Sequence, residues 1–318
     1  MLRNLRVLFG CSSLLLCIAH TAAAQNNNTA CAPNMRFGSL LDGVQISGQG
    51  RLVFGEMIAT CLPEPARQSS SNYPYDPDDG GKFSTVVKRA SGEALTTYVW
   101  YVEKISSLWV MNHYKVVGGE AAIKPLTPGD YVLEFAVEDK PFLRLPFSVA
   151  TTKNEDIYNP GTIYLLNGAW NDYGAFWYLK PERYTQFLVF LRDTGKPNRQ
   201  GTPVDLKLIR VKDNKVLATS RPDDAVRLKP SWNLFKLSFN PVSDTGEPAA
   251  SGEFHASEVL KTDGNYLVRL SLDGKLYGEY QFTVKGGQIQ YQGRQLRDPA
   301  SPLVQIEDVN NSWWIRRR

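Results

Sequence analysis

Few side chains in this sequence have the type and spacing to do chemistry. The richest run is Trp170-Asn171-Asp172-Tyr173-Gly174-Ala175-Phe176-Trp177-Tyr178. Aromatic faces beside an amide and a carboxylate suit a glycan, with rings stacking on sugar C–H groups while Asn171 and Asp172 read hydroxyls. Trp170, Asn171, Asp172, Tyr173 and Trp177 are therefore the candidate ligand-binding residues. The same pattern also suits a core, with Phe176 and Tyr178 inside and Trp170 capping the end of a sandwich, because alternation leaves only half of such a run outside. Asp76, Asp78 and Asp79 precede Gly80-Gly81 and offer carboxylate oxygens on a tight turn, as calcium would require. Their spacing does not fit an EF-hand loop. A solvated turn is expected there, and no metal or other cofactor.

Catalytic constellations are scarcer. Beyond residue 24 the histidines are His113 and His255, and neither stands at a metal-ligand spacing. No Gly-x-Ser-x-Gly, His-Glu-x-x-His or phosphate-cradling glycine loop is present. A pair of glycosidase carboxylates carries no motif, so a β-sandwich hydrolase is kept as a less favoured alternative. The expectation is a protein that is not an enzyme.

The N-terminus carries the most specific signal. Arg3 and Arg6 precede an apolar run from Val7 to Ile18, and Ala22-Ala23-Ala24 supplies the small residues that a signal peptidase reads. Cleavage is expected after Ala24. The run is shorter than the roughly 20 residues a bilayer-spanning helix needs, so no transmembrane segment is expected in the mature chain. Leu16 stands before Cys17 where a lipobox requires a small residue, which argues against lipid attachment. Removing 1–24 takes two of the 36 basic residues and none of the 32 acidic ones, lowering the net charge from +4 to +2. A chain so near neutrality has no electrostatic reason to seek nucleic acid. Two of the four cysteines leave with the peptide, and Cys31 and Cys61 remain as an even pair in an oxidising compartment. A disulfide between them closes a loop of about 30 residues, worth roughly 3–4 kcal/mol in the chain-entropy model.

The elements that hold these residues read as strands. Gly129 to Val149 aligns without a gap on Gly264 to Val284, each position of the second copy lying 135 after its counterpart. That offset is one domain length. Tyr131, Leu133, Phe135 and Val137 alternate with other residues, as do Tyr266, Val268, Leu270 and Leu272. Turns follow at Glu138-Asp139-Lys140-Pro141 and Asp273-Gly274-Lys275, and the chain returns through a second alternating strand in each copy. The first copy is introduced by Leu126-Thr127-Pro128-Gly129-Asp130-Tyr131, the second by Leu260-Lys261-Thr262-Asp263-Gly264-Asn265-Tyr266, which lacks the proline and is one residue longer. Leu-x-Pro-Gly-x-Tyr before an alternating strand resembles the tyrosine corner of fibronectin type III and other immunoglobulin-like sandwiches. The resemblance implies that each tyrosine hydroxyl bonds back to upstream backbone. It covers about 25 residues per copy and implies a fold class, not an activity.

The expected organisation is all-β, two tandem immunoglobulin-like antiparallel β-sandwiches after a cleaved signal peptide. Residues 1–24 are the signal peptide, 25–34 a leader, 35–150 the first sandwich, 157–285 the second and 286–318 a C-terminal extension. Strands are expected at Arg51 to Thr60, Leu95 to Glu103 and Ser107 to Val117 in the first unit. A polar linker is expected at Thr151 to Asp156. The second unit is expected to open with a strand at Thr162 to Leu166, followed by others including Ala175 to Leu179 and Gln186 to Arg192. The chain ends Ser312-Trp313-Trp314-Ile315-Arg316-Arg317-Arg318, where Trp313, Trp314 and Arg316 are the candidate docking residues. Paired tryptophans beside arginines suit packing onto a sandwich, a protein partner or a lipid interface. The reading as a whole is an exported, secreted or periplasmic protein that binds or scaffolds a protein partner in the envelope. The alternative is a carbohydrate-binding accessory module.

Overall fold

In the computed structural model the described residues are 36–39, 43–61, 83–106, 108–154, 158, 160–178, 180–191, 201–228, 232–243, 247–249, 252–290 and 312–318. They are nearly all β, in antiparallel sheets packed face to face as sandwiches. In chain order the first unit contributes β1 (Arg36–Ser39), β2 (Val44–Ile46), β3 (Leu52–Phe54), β4 (Met57–Cys61), β5 (Phe83–Arg89), β6 (Ala94–Ile105), β7 (Leu108–Val116), β8 (Gly129–Val137), β9 (Lys140–Lys153) and β10 (Thr162–Gly168). There follow β11 (Tyr173–Tyr178), β12 (Thr185–Leu191), β13 (Thr202–Arg210), β14 (Lys215–Thr219), β15 (Ala225–Val226), β16 (Asn233–Ser238) and β17 (Asn240–Pro241). After a short helix at Ser257–Leu260 come β18 (Gly264–Leu272), β19 (Lys275–Lys285), β20 (Gln288–Gln290) and β21 (Ser312–Arg316). No helix among the described residues is long and apolar enough to cross a membrane.

The first sheet runs β1-β4-β7-β6-β5-β8-β9-β10 and the last runs β17-β14-β13-β18-β19-β20, with β15 joined to β13. Between them lies a middle sheet, β16-β12-β11-β21, while β2 and β3 form a small hairpin. One core gathers the inner face of the first sheet, the β2–β3 hairpin and Ala175, Leu188, Phe190 and Trp314 of the middle sheet. A second core gathers Phe176, Phe187, Val189, Leu191 and Ile315 with the last sheet. The middle sheet is thus covered on both faces, and the two sandwiches share it.

This sharing changes how the expected elements are used. Thr151 to Lys153, expected as linker, are the end of β9, and the strand expected to open the second unit is β10, which pairs with β9 from Thr162↔Lys153 to Gly168↔Phe147. The first sheet therefore extends to Gly168. The expected single strand from Arg51 to Thr60 is two, β3 and β4, broken at Gly55-Glu56 where the chain leaves the hairpin for the main sheet. Cys61 ends β4 opposite Arg36. Cys31, the Asp76 to Asp79 turn and residues 1–24 lie outside the described residues.

Both corners form as the resemblance implies. The Tyr131 hydroxyl donates to the Thr127 carbonyl at 2.7 Å and accepts from the Thr127 N–H at 3.0 Å. The Tyr266 hydroxyl lies 2.7 Å from the Thr262 carbonyl and 3.2 Å from that of Val259. The 2.7 Å bond of each corner spans four residues, and each corner turns on a glycine at positive φ, 152° at Gly129 and 155° at Gly264. Each ring then stacks on the equivalent phenylalanine, Tyr131 on Phe147 at 5.5 Å and Tyr266 on Phe282 at 5.6 Å. The hairpin turns match too: Glu138-Asp139 and Asp273-Gly274 all take positive φ, as a primed two-residue turn requires. Even the β-bulge recurs, between Phe135 and Ala136 and between Leu270 and Ser271. We expect Tyr131→Phe and Tyr266→Phe each to lose roughly 1–2 kcal/mol in urea denaturation, since the ring still stacks but the corner's polar partners are abandoned.

Candidate functional site

The residues singled out at 170–178 and at 313–316 come together, and they do so as donor and acceptor of one strand. Ala169–Asp172 is a single 3-10 turn that carries the chain from the first sheet to the middle one. Asn171 holds it by accepting the Gly168 N–H at 2.9 Å. The Trp170 ring folds back so closely that a Cβ on Gly168 would lie 2.1 Å from it, so only glycine fits there. Trp170 is fully buried and meets Trp232 edge-on at 4.1 Å, and Trp232 meets Phe147 at 5.7 Å. A ring with no exposed surface has no face for a sugar. Trp170 joins layers instead.

From that turn β11 sets out with two different sides. Ala175 faces the first core, with half-buried Tyr173 and Trp177 packed against it, while Gly174, Phe176 and Tyr178 face the other way. One edge of β11 pairs with β12 from Gly174↔Val189 to Tyr178↔Thr185, and the other pairs with the C-terminal strand β21 from Tyr173↔Arg316 to Trp177↔Ser312. The chain's own end thus completes the middle sheet.

Among the described residues four anchors hold β21. Trp314 is buried and stacked on Phe190, with ring centroids 5.9 Å apart and planes at 13°. Ile315 is buried in the opposite core. Arg317 donates from its guanidinium to Asp172 Oδ1 at 2.6 Å and from its backbone to the Asp172 carbonyl at 2.6 Å. Its Cζ also lies 4.8 Å from the centre of the Tyr277 ring, a cation–π contact. Finally the Arg318 N–H donates to the Glu279 carbonyl at 2.9 Å, and Arg317 bridges to Tyr280 on β19. The last residues therefore clasp the middle sheet to the last sheet. Arg316, a docking candidate, is exposed opposite Tyr173; of the Trp313 side chain nothing is described.

The slot for Arg317 exists because the two copies differ there. Phe142, Leu143 and Leu145 of the first hairpin correspond to Tyr277, Gly278 and Tyr280 of the second. A Cβ on Gly278 would lie 2.3 Å from Arg317 Cδ and 2.7 Å from Cγ, so the leucine found in the first copy would exclude the arginine. Tyr277 turns its hydroxyl to the Phe190 carbonyl at 3.2 Å, locking the last sheet onto the middle one. Tyr280 packs edge-on against Phe187 at 4.8 Å, and its buried hydroxyl has no hydrogen-bond partner among the described residues. The sequence reading missed this pocket in β19, although comparing the copies at these three positions would have exposed it.

The chain matches no protein-family model and no curated protein sequence. The chemistry must therefore be read from the molecule. Among the described residues no three His, Cys, Asp or Glu side chains gather as a metal ion would need. His113 is exposed on β7, and His255 is half-buried where the chain bridges to Tyr184. A shallow groove of about 370 Å³ lies between β13, β14 and residues 247–248. Its Lys207 is paired with Asp205 at 3.0 Å, and its Arg221 reaches Asn240 at 3.4 Å, so these groups are already engaged.

Burial pushes the Tyr280 phenol far above its ordinary value, and the Tyr98 phenol, which donates to the Leu52 carbonyl at 2.7 Å, is raised by the same cause. A raised phenol holds its proton more tightly in the folded chain than in the unfolded one. Its contribution to stability is full below about pH 10 and declines as pH rises beyond that. Absorbance titration of phenolate should show these two tyrosines ionising only together with unfolding, and Tyr280→Phe should extend the alkaline limit of the fold. Trp314→Ala should cost about 3–5 kcal/mol, a cavity-scale loss, while Gly278→Val should loosen β21 by expelling Arg317 without touching the Trp314 stack. Hydrogen exchange at the β11 amides reads both.

Proposed function

We propose that this chain is an exported, non-catalytic protein of the cell envelope or extracellular space, acting by binding or as a structural interaction module. The observation that supports this reading most is the completion of the middle sheet by a strand taken from the far end of the chain. Strand addition is a recurrent way for β proteins to engage partners, with backbone bonds giving affinity and side-chain pockets giving specificity. The pocketed Trp314, Ile315 and Arg317 have that division of labour. β10 is a second candidate contact. It ends its sheet among the described residues and carries neither a charge nor a proline, the features with which natural edge strands repel unwanted pairing.

Export rests on Arg3, Arg6 and the apolar run to Ile18, and the Cys31–Cys61 bridge belongs to the same compartment. The partner expected is a protein of the envelope, not nucleic acid. Fractionation of cells carrying the full chain should place a mature form beginning near Gln25 outside the cytoplasm, with an intact mass that changes on reduction as one disulfide requires. Retention of the full-length precursor inside the cell would overturn the reading.

A second reading, glycan binding, keeps a narrower foothold. Trp177 is half-buried and lies 5.7 Å from the exposed ring of Tyr184, a tilted aromatic pair at the surface. If this pair is a sugar platform, polysaccharide binding is lost in Trp177→Ala and Tyr184→Ala and is untouched by Arg317→Ala.

A further inference from the structure

We propose that the slot formed by β11 and β19 exchanges its strand, so that the C-terminal strand of a second copy of this chain occupies it in place of the chain's own. This rests on the interaction reading above and names the partner. The slot is a built receptor: a five-residue backbone edge on β11, a buried seat for Trp314 against Phe190, a glycine cleared for Arg317, and Asp172 with Tyr277 to bind its charge.

Three observations select a second copy as the donor. The slot reads a specific order, Trp314-Ile315-Arg316-Arg317, with a large aromatic on one face, an aliphatic on the other and a cation beyond, and every copy carries that order. Among the described residues the contacts of the slot are made by Ser312 to Arg318, and none of those contacts requires that the donor belong to the same chain. Residues 291–311 stand between β20 and β21, and 22 residue steps reach at most about 75 Å when extended, far enough to enter a neighbouring copy. Without a donor the middle sheet is incomplete, β11 presents five unpaired backbone positions, and the seat of Trp314 is open on an apolar core. A donor from another copy makes the contact heterologous, and repetition gives a ring or a chain of copies; mutual exchange gives a dimer.

The test separates donor from acceptor. The acceptor is the mature chain lacking 312–318, which keeps the slot and has no tail. The donor is the mature chain with Gly278→Val, which keeps the tail and has an obstructed slot. Each alone should sediment as a monomer, and the mixture should form a one-to-one complex in analytical ultracentrifugation. The acceptor should also bind a labelled Ser312–Arg318 peptide saturably, and a Trp314→Ala peptide at least about 100-fold more weakly. If the acceptor binds the peptide but never the donor chain, the tail serves only its own chain and the proposal is overturned. If the shortened chain does not fold, a protease site placed between residues 300 and 301 allows cleavage after folding. Labelled peptide should then displace the severed tail, and failure to do so would also overturn the proposal. An exported protein that never exchanges strands refutes this inference and leaves the function reading intact; a chain that is never exported refutes that reading whatever its tail does.

Discussion

The structure depends on a sheet whose central strand, β12, is buried on both faces. In an ordinary half-buried strand one face is polar, and a slip of one residue is penalised because it exchanges the faces. The middle sheet lacks that penalty: Phe187, Val189 and Leu191 enter one core while Leu188 and Phe190 enter the other. Its register is fixed instead by shape. The Phe187 ring lies so close over Gly174 that a Cβ there would stand 2.2 Å away, and Ala175 sits opposite Trp314 and Leu188, small beside large on both edges. Every larger contact follows from this constraint, because two sandwiches can share a layer only where its central strand is apolar on both faces and sterically keyed.

Against this shared layer the two copies of the hairpin frame are nearly the same device. Corner glycine, corner tyrosine, stacked phenylalanine, bulge and turn recur at one offset. The strand order around them recurs as well, β7-β6-β5-β8-β9-β10 in the first sheet and β17-β14-β13-β18-β19-β20 in the last. Equal frames make differences informative. Where the first copy fills its hairpin with Phe142, Leu143 and Leu145, the second has a phenol, a gap and another phenol. Apolar volume has been exchanged for a recess with a polar lip, and an arginine from the end of the chain lies in it.

How much of this was legible depended on how local the cause is. A tyrosine bonding four residues back, or a turn that demands positive φ, is decided within a few residues, so the corners and hairpins could be read from the sequence. Strand β10 could be read as a strand, but its allegiance could not, since Ile163 and Leu165 alternate in the same way beside either sheet. The local sequence of Trp170 suits a sugar platform or a cap equally, and its environment is decided by Trp232, 62 positions away. One long-range signal was present and unread: Phe187 to Leu191 is apolar at every position, which marks a strand covered on both faces.

A strand of five residues cannot hold itself to a sheet by backbone bonds alone, since even a two-stranded hairpin is marginal in water. β21 stays because its side chains add a stacked tryptophan, a buried isoleucine and an arginine engaged by a carboxylate, a ring and two backbones. The same economy sets the competition between a chain's own tail and a neighbour's. A connection of 21 residues gives the attached tail an effective concentration of order millimolar, so in dilute solution the chain serves itself. Copies held together on a surface or in a confined compartment approach that concentration, and the balance there becomes one of geometry. Identical contacts give identical affinities, so the outcome is decided by how closely copies are gathered and not by any change in the slot.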